Sequence, residues 1–414
     1  MSSIIPYLTT TQIVGLTTTN MQSLTTTDIQ ALATTQAAVL SATQLNALNS
    51  TNLQTLVTTQ FQALSATAIG GLSTTQIQAL TSTEVDSLTV TQIAALTETE
   101  IGYLTSTELQ AWTTTQLAGL TATQIGNLTT TDFGALTTTQ LGLLSSTQVK
   151  GLTTTQIGTL TTTELNALTT TQIGQLTATQ VAGLGSTVVG NLTSTQVGAF
   201  TAAEIAVLTA AELAALSSTE YQAFTTTQLG ALTATQIAAF TTTEFGDLTT
   251  TQLGLLSSTQ VRALTTTQIG TLTTTELNAL TTTQIGQLTT SQVAGLTSTV
   301  VGNLTTTQVG AFTAAEIAVL TTTAVGSLST TEFSALTATQ ASGLTQTQVT
   351  NLTTTNIDAL TSTTGIPALS TSAIRGLTTT DIGSLTTTQG HAFVSTQIAS
   401  MSVPQITALV NLIG

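Results

Sequence analysis

An eight-residue unit repeats through almost the whole chain and constrains its fold more than any other feature. The unit begins with an apolar residue, usually Leu, continues with three positions that are usually Thr, and ends with Gln, an apolar residue and two mostly small residues. The leading residue recurs in unbroken register from Leu8 to Leu360, and six more units follow a one-residue slip. Because a short fixed period grows in one dimension, we predict one continuous repeat array in place of several globular domains.

Each octad, numbered here from its leading residue, carries the start signal of a helix. In the octad that begins at Leu152, Thr153 and Gln156 have the spacing of a capping box, in which each side chain bonds the main-chain amide of the other residue. Leu152 and Ile157 have the spacing of a hydrophobic staple around the same cap. The pattern therefore predicts a new short helix in nearly every octad.

These helices have six or seven residues at most before the next cap, which is less than about two turns. A helix this short is unstable alone and persists only when its neighbours bury its apolar side chains, here at positions 1 and 6. We therefore predict an all-α solenoid, or superhelix, of very short helices. The alternative is a β-solenoid, because Thr, Ile and Val favour strands and Gly marks turns. Strict alternation fails, however, since position 6 lies three residues before the next anchor, which fits helical spacing.

All the Phe residues and the single Trp fall in the two apolar columns, which predicts that they fill the core. Position 1 holds Phe200, Phe224, Phe240, Phe312, Phe393 and Trp112, and position 6 holds Phe61, Phe133, Phe245 and Phe333. Positions 7 and 8 are mostly Gly, Ala, Ser and Asn. Because Gly disfavours helix, its repeated use indicates close backbone approach or a chain reversal at the end of each octad.

Most acidic residues occupy position 5, where a carboxylate in the first helical turn is stabilised by free amides and by the helix dipole. They are Asp28, Glu84, Glu100, Glu108, Asp132, Glu164, Glu204, Glu212, Glu220, Glu244, Glu276, Glu316, Glu332 and Asp381. A ladder of carboxylates could instead bind calcium, but calcium needs several oxygens that converge within one loop, and no such loop is present. We therefore predict capping residues, with no metal site and no cofactor.

Composition argues against several classes of function. The net charge is -15, and Lys150, Arg262 and Arg375 are the only basic residues, so neither nucleic acid nor an anionic membrane surface is an expected partner. No cysteine is present, and no apolar run approaches the roughly 20 residues of a membrane span. His391 is the only histidine and has no nearby acid, so the hydroxyls lack a base. We predict no catalytic, cofactor or metal residues and no enzyme activity.

The array divides into three expected segments: an N-terminal cap, residues 1–7; the octad solenoid, residues 8–360; and irregular C-terminal repeats with a cap, residues 361–414. Within the array, residues 136–209 match residues 248–321 with six differences, at an offset of 112 residues. This match indicates a tandem duplication of 14 octads, and we consider that 14 octads approximate a whole number of superhelical turns.

The unit, as in LTATQVAGL and LTTTELNAL, resembles the Thr/Gln-rich octad arrays of large bacterial surface proteins described as adhesin-like or haem-utilisation-like. The resemblance implies an extracellular structural or adhesive role; no haem ligand pattern accompanies it. We expect a structural protein that polymerises with itself into an extracellular filament, sheath or surface fibre, without a cleaved N-terminal signal. The alternatives are a monomeric adhesin stalk or Thr-array module that binds ice or glycan, and a cytoplasmic scaffold.

Overall fold

The computed structural model describes residues 3–414 and shows an all-α protein. Over this range the chain forms 49 α-helices and two short 3-10 helices, and it contains no strand. The α-helices have four to six residues each, except for a last helix of 11 residues. The predicted helical solenoid is confirmed, and the β-solenoid alternative is wrong. The chain divides into two compact units, residues 1–215 and 216–414.

The first unit begins with a 3-10 helix at Ile5–Tyr7 and continues as a run of short α-helices. They are α1 (Thr10–Val14), α2 (Thr18–Ser23), α3 (Thr26–Gln30), α4 (Thr34–Ala37), α5 (Ala42–Ala47), α6 (Ser50–Leu53), α7 (Thr58–Ala63), α8 (Ala66–Ile69), α9 (Thr74–Ala79), α10 (Ser82–Ser87), α11 (Val90–Ala95), α12 (Glu98–Ile101), α13 (Ser106–Ala111), α14 (Thr114–Leu117), α15 (Ala122–Gly126), α16 (Thr130–Gly134), α17 (Thr138–Gly142), α18 (Ser146–Gly151), α19 (Thr154–Gly158), α20 (Thr162–Ala167), α21 (Thr170–Ile173), α22 (Ala178–Val181), α23 (Ser186–Val189), α24 (Ser194–Val197), α25 (Ala202–Val207) and α26 (Ala210–Leu213).

The second unit continues in the same way, with a 3-10 helix at Ile366–Ala368 between its helices α44 and α45. Its helices are α27 (Ser218–Ala223), α28 (Thr226–Ala231), α29 (Ala234–Ala239), α30 (Thr242–Gly246), α31 (Thr250–Gly254), α32 (Ser258–Ala263), α33 (Thr266–Gly270), α34 (Thr274–Ala279), α35 (Thr282–Ile285), α36 (Thr290–Ala294), α37 (Ser298–Gly302), α38 (Thr306–Val309), α39 (Ala314–Val319), α40 (Thr322–Gly326), α41 (Thr330–Ala335), α42 (Ala338–Ser342), α43 (Gln346–Asn351), α44 (Thr354–Asp358), α45 (Thr371–Ile374), α46 (Thr379–Ser384), α47 (Thr387–Gly390), α48 (Ser395–Ile398) and α49 (Val403–Ile413).

The helices start where the capping box predicts. At α19 the hydroxyl of Thr153 accepts from the main-chain N–H of Gln156 at 3.1 Å. The Oε1 atom of Gln156 accepts in turn from the main-chain N–H of Thr153 at 2.8 Å. Leu152 and Ile157 flank this cap and are both buried. Each cap satisfies amides that a helix of five residues cannot pair internally, so the prediction for this octad is confirmed.

Helices three places apart in the chain pack against one another. In the first unit α2 packs on α5, α5 on α8 and α8 on α11, and in the second unit α31 packs on α34 and α36 on α39. Positions 1 and 6 of each octad form the core between these helices, and every Phe and Trp112 is buried there as predicted. Burial of these two columns stabilises helices that would not form alone.

Small residues at positions 7 and 8 allow the closest approach between helices. A Cβ atom added at Gly70 would lie 2.1 Å from the carbonyl oxygen of Ala95, and one added at Gly151 would lie 2.3 Å from that of Ala122. The expected close backbone approach is confirmed at these glycines. A Cβ atom added at Gly158 would have no heavy atom within 4 Å. Glycine is therefore required only where an octad faces the backbone of another octad.

The one-residue slip is absorbed locally in the second unit. The inserted segment forms the 3-10 helix Ile366–Ala368 in place of an α-helix, with Pro367 in its first turn. Regular helices resume at α45. The predicted boundaries at residues 1–7, 8–360 and 361–414 stay a prediction, and Met1 and Ser2 lie outside the described residues.

Candidate functional site

The side chain at position 5 joins each helix to an earlier part of the solenoid. In α5 the Oε1 atom of Gln44 accepts from the main-chain N–H of Ser41 at 2.9 Å, which completes the capping box. Its Nε2 group donates to the carbonyl oxygen of Ile13 at 2.8 Å and to that of Leu16 at 3.1 Å. These carbonyls lie at the C-terminal end of α1. One amide group therefore satisfies the free amide at the start of one helix and free carbonyls at the end of another.

The same two bonds, to carbonyls 31 and 28 residues earlier, recur in both units at distances between 2.6 and 3.2 Å. We call this set the glutamine ladder; its members include Gln60, Gln92, Gln124, Gln156, Gln196, Gln260, Gln284, Gln308 and Gln348. A spacing of 28 residues equals three and a half octads, so position 5 of one octad faces position 1 of an earlier one. The ladder thereby joins each octad to the part of the chain three and a half octads earlier.

The ladder bonds are buried, which raises the cost of losing one. Gln156 is 1% exposed, and its Nε2 group lies 2.8 Å from the carbonyl oxygen of Ile125 and 2.9 Å from that of Leu128. A hydrogen bond contributes about 0.5 to 1.5 kcal/mol net, whereas a buried acceptor left without a donor costs about 1 to 3 kcal/mol. The ladder therefore contributes to stability mainly because its carbonyls have no access to water.

A second set of bonds runs from position 7 to a carbonyl 25 residues later. Asn46 donates to the carbonyl oxygen of Gly71 at 2.8 Å, and Gln110 donates to that of Ala135 at 2.7 Å. Arg262 also lies at position 7 and donates to Oε1 of Gln287, 25 residues later, at 2.9 Å. A long donor at position 7 thus adds a bond between parts of the chain 25 residues apart.

Trp112 changes the ladder at one point. It occupies position 1, and its Nε1 group donates to the carbonyl oxygen of Val85 at 3.2 Å. Gln116 would bond that carbonyl by the regular spacing, but its Nε2 group donates to the carbonyl oxygen of Asp86 at 2.8 Å and to that of Leu88 at 2.9 Å. The indole therefore supplies the donor that a ladder glutamine supplies elsewhere.

Carboxylates at position 5 keep the capping role but have no proton to donate when ionised. The Oε2 atom of Glu164 accepts from the main-chain N–H of Thr161 at 2.7 Å, as predicted for an acidic cap. Glu84 accepts from Thr81 in the same way at 2.7 Å. Its other oxygen, Oε1, is buried and has no hydrogen-bond partner. Within residues 3–414 every other buried side-chain nitrogen or oxygen atom has a hydrogen-bond partner.

Among residues 3–414, four ionisable groups have shifted pKa values with identifiable causes. Burial raises the pKa of Glu84, and the hydrogen bonds from Thr81 offset part of that rise. Burial, followed by the negative charge of Glu108, raises the pKa of Asp86. Hydrogen bonds from the hydroxyl and then the main-chain amide of Thr25 lead the causes that lower the pKa of Asp28.

The fourth group is a phenol in the core of the second unit. Burial raises the pKa of Tyr221 far above its usual range, and nearby carboxylates add to the effect. Its ring packs edge-on against that of Phe240 with a centroid distance of 5.4 Å. These contacts identify Tyr221 as a core aromatic residue.

The residues that carry the rarest chemistry are scattered. Lys150, Arg262 and Arg375 are exposed, and so is His391, whose Nδ1 atom lies 2.8 Å from the carbonyl oxygen of Thr387. Within residues 3–414, no group of three or more His, Asp or Glu residues is arranged to hold a metal ion. No helix in that range combines the length and the apolar character required to cross a membrane.

Surface depressions are shallow, and Thr and Ser residues contribute to their linings. One of about 400 Å³ is bordered by Thr97, Glu98, Thr121 and Gln124, and another of about 490 Å³ is bordered by Arg375 and Ser400 among others. The first lining holds one carboxylate, Glu98, and no histidine, and the second holds neither a carboxylate nor a histidine. The prediction that the chain has no catalytic residues stays a prediction.

The short helices, the 28-residue spacing and the glutamine ladder define an α-helical repeat protein of the solenoid class. The family model of the ALTTAQ repeat matches residues 126–162 and 205–242, which together are less than a fifth of the chain. Over these segments the chain is similar to ALTTAQ repeat proteins.

Other comparisons add little. No curated protein matches the chain. Among solved structures, a leucine-rich repeat-containing protein from Legionella pneumophila is 15% identical, with 58% of this chain and 78% of that chain covered. The TM-score of this match is 0.15, which is too low to indicate a shared fold.

Proposed function

We propose that this chain is a structural protein whose copies assemble with one another into an extracellular filament, sheath or surface fibre. One observation carries the proposal: the long helix α49 exposes an apolar stripe. Val403 is 77% exposed, Ile406 is 37% exposed and Val410 is 57% exposed. Residues spaced by three and four positions lie on one face of a helix, so these side chains form one surface. Burial of that surface by a second copy would stabilise an assembly.

The chemistry of the remaining surface supports a structural role. The side-chain amides at position 5 are engaged within the solenoid, and the exposed residues are mostly Thr, Ser, Gly and Ala. Only 5% of residues are charged. Such a surface presents few groups for recognition of a charged ligand, whereas its regular coils suit repeated contacts with an identical chain.

Negative-stain electron microscopy of the purified chain tests this proposal directly. We expect filaments or sheets for the wild-type chain and dispersed particles for Val410→Asp, because a carboxylate in the stripe would have to be desolvated at the contact. Leu143→Asp is the matched control, since Leu143 is 60% exposed but lies outside the stripe. Loss of assembly in the control alone, or dispersed wild-type particles under all conditions, would contradict the proposal.

The extracellular location is part of the same proposal and needs its own test. Fractionation of the source cells, with antibodies against this chain, should recover it from the surface or the medium. Recovery in the cytoplasm alone would favour the intracellular scaffold instead.

A monomeric Thr-array module is the second candidate, and one observation favours it. Thr side chains at positions 3 and 4 lie in the exposed or half-buried first turn of successive helices, as Thr154, Thr155, Thr282 and Thr283 show. Regularly placed methyl and hydroxyl groups could bind ice or glycan. Inhibition of ice growth by the dispersed Val410→Asp chain would support this candidate, and glycan arrays with the same chain test the other ligand.

A further inference from the structure

Glu84 lies within the glutamine ladder, between Gln76, which makes the 28-residue bond of the ladder, and Gln92, which makes both ladder bonds. In the preceding octad Gln76 donates to the carbonyl oxygen of Leu48 at 2.9 Å, and in the following octad Gln92 donates to that of Leu64 at 2.9 Å. The same 28-residue register places Glu84 opposite the carbonyl of Leu56, which is 4% exposed. The register therefore pairs the carboxyl group of Glu84 with the buried carbonyl of Leu56. The equivalent carbonyls of the flanking octads receive a hydrogen bond from a glutamine amide.

The carboxyl group of Glu84 has one oxygen to spare. Its Oε2 atom accepts from the main-chain N–H and the hydroxyl of Thr81, which completes the cap of α10. Its Oε1 atom is buried without a hydrogen-bond partner, and the side chain is 4% exposed. By the register of the flanking octads this oxygen faces a main-chain carbonyl oxygen, and an ionised carboxylate has no hydrogen to share with it, which is unfavourable in a buried site.

We propose that Glu84 is a proton-operated member of the ladder, whose neutral carboxylic acid donates from Oε1 to the carbonyl oxygen of Leu56 and loses that bond on ionisation. Neutral glutamic acid has nearly the shape of glutamine and offers one donor in the same position. The proton comes from solvent and no covalent bond other than its O–H bond is formed. The device links the stability of this part of the first unit to pH.

The helices that pack around Glu84 carry no positive charge. Helix α10 packs on α7 and α13. Helix α7 carries no titratable or charged side chain, α13 carries Glu108, and α10 itself carries Asp86. No basic residue lies on these helices, so nothing near Glu84 favours its ionised form except the two bonds from Thr81.

The sign of the pH effect follows from linkage. Burial raises the pKa of Glu84 above its ordinary value of 4.5, so the folded chain holds a proton that the unfolded chain has lost over the interval between the two values. The contribution of this group to stability is therefore fully present below the unfolded value. It is lost as the pH rises through the folded value.

Thermal unfolding of Glu84→Gln and Glu98→Gln chains tests the proposal. Both substitutions remove one negative charge, but Glu98 is exposed at position 3 and faces no ladder carbonyl. Fluorescence of Trp112 reports on the right region, because its indole bonds the carbonyl of Val85 next to Glu84. We expect Glu84→Gln to raise the unfolding temperature by about 2 to 4 °C near pH 7.5, and by less than about 1 °C near pH 4.5.

Two results would overturn the inference. One is a temperature difference between Glu84→Gln and the wild-type chain that does not shrink on acidification. The other is a Glu98→Gln chain with the same pH-dependent difference, which would show an effect of net charge alone. Infrared spectra provide a second readout: the wild-type chain should keep a protonated carboxyl band to a higher pH than the Glu84→Gln chain. Equal bands in the two chains would contradict the proposed proton.

Discussion

The main-chain N–H of Gly185 donates to Oε1 of Glu212, 27 residues later, at 3.0 Å. Gly185 is the N-cap residue of α23, and position 5 of its octad is Val188, which offers no acceptor. The Oε2 atom of Glu212 meanwhile accepts from the main-chain N–H of Thr209 at 2.7 Å. A single carboxylate therefore caps two helices. In the duplicated segment Thr297 replaces Gly185 and caps α37 with its own hydroxyl.

Replacement of Gly185 by Ala should destabilise the first unit by about 1 to 3 kcal/mol, because a φ of 78° with a ψ of 157° is a conformation that only Gly adopts readily. Urea unfolding followed by Trp112 fluorescence measures the free energy. Gly134→Ala is the control: nothing lies within 4 Å of its added Cβ, and it should be neutral or stabilising. Equal effects of the two substitutions would show that the backbone of Gly185 is not strained for Ala.

Replacement of Gln156 by Glu should cost about 2 kcal/mol at neutral pH, because it keeps the capping acceptor but removes the donor to Ile125 and Leu128. The urea midpoint checks this value. Gln12→Glu is the matched control, since Gln12 caps α1 with Oε1 at 2.8 Å but its side chain is exposed. A loss of similar size in both variants would mean that the ladder donors contribute little.

The Gly151→Ala substitution should destabilise the first unit by about 1 to 3 kcal/mol, because the added Cβ atom would lie 2.3 Å from the carbonyl oxygen of Ala122. Gly158→Ala introduces the same atom into open space and should be tolerated. Circular dichroism during thermal unfolding compares the two. If Gly151→Ala unfolds at the wild-type temperature, the helices are free to move apart at this contact.

Loss of a cap hydroxyl should have a smaller effect. Thr153→Val is expected to cost about 1 kcal/mol, because the N–H of Gln156 loses its acceptor while Gln156 still accepts from the cap amide. Val57 already occupies a cap position, where Gln60 keeps the reciprocal bond at 2.8 Å. Thr155→Val, at an exposed position of the same helix, should change the urea midpoint little. A larger effect at Thr155 would contradict the capping explanation.

Local structure could be predicted from the sequence because its signals lie within one octad. Thr153 and Gln156 are three residues apart, and their reciprocal bonds depend on no distant contact. The columns of Leu and Phe likewise show which side chains are buried. The acidic caps followed from the same argument, as Glu164 shows.

The ladder could not be predicted in the same way. Octads are so similar to one another that the sequence does not indicate which of them faces which, and coil length depends on how short helices pack in three dimensions. One signal was available: Gln far outnumbers Glu at position 5, although both cap a helix. An ionised Glu has no hydrogen to donate, whereas the amide of Gln donates, as the bond from Gln44 to the carbonyl oxygen of Ile13 shows.

The 28-residue spacing of the ladder is not a whole number of octads, so a helix can contact two helices of the preceding coil, as α5 does when it packs on α2 and bonds the end of α1. The ends of helices in one coil are therefore offset from the ends of helices in the next coil. The 8-residue period of the octads and the 28-residue spacing of the ladder coincide after seven octads, which is half of the 112-residue copied block. A block of that length is among the few insertions that preserve both the octad register of the helix caps and the 28-residue register of the ladder bonds.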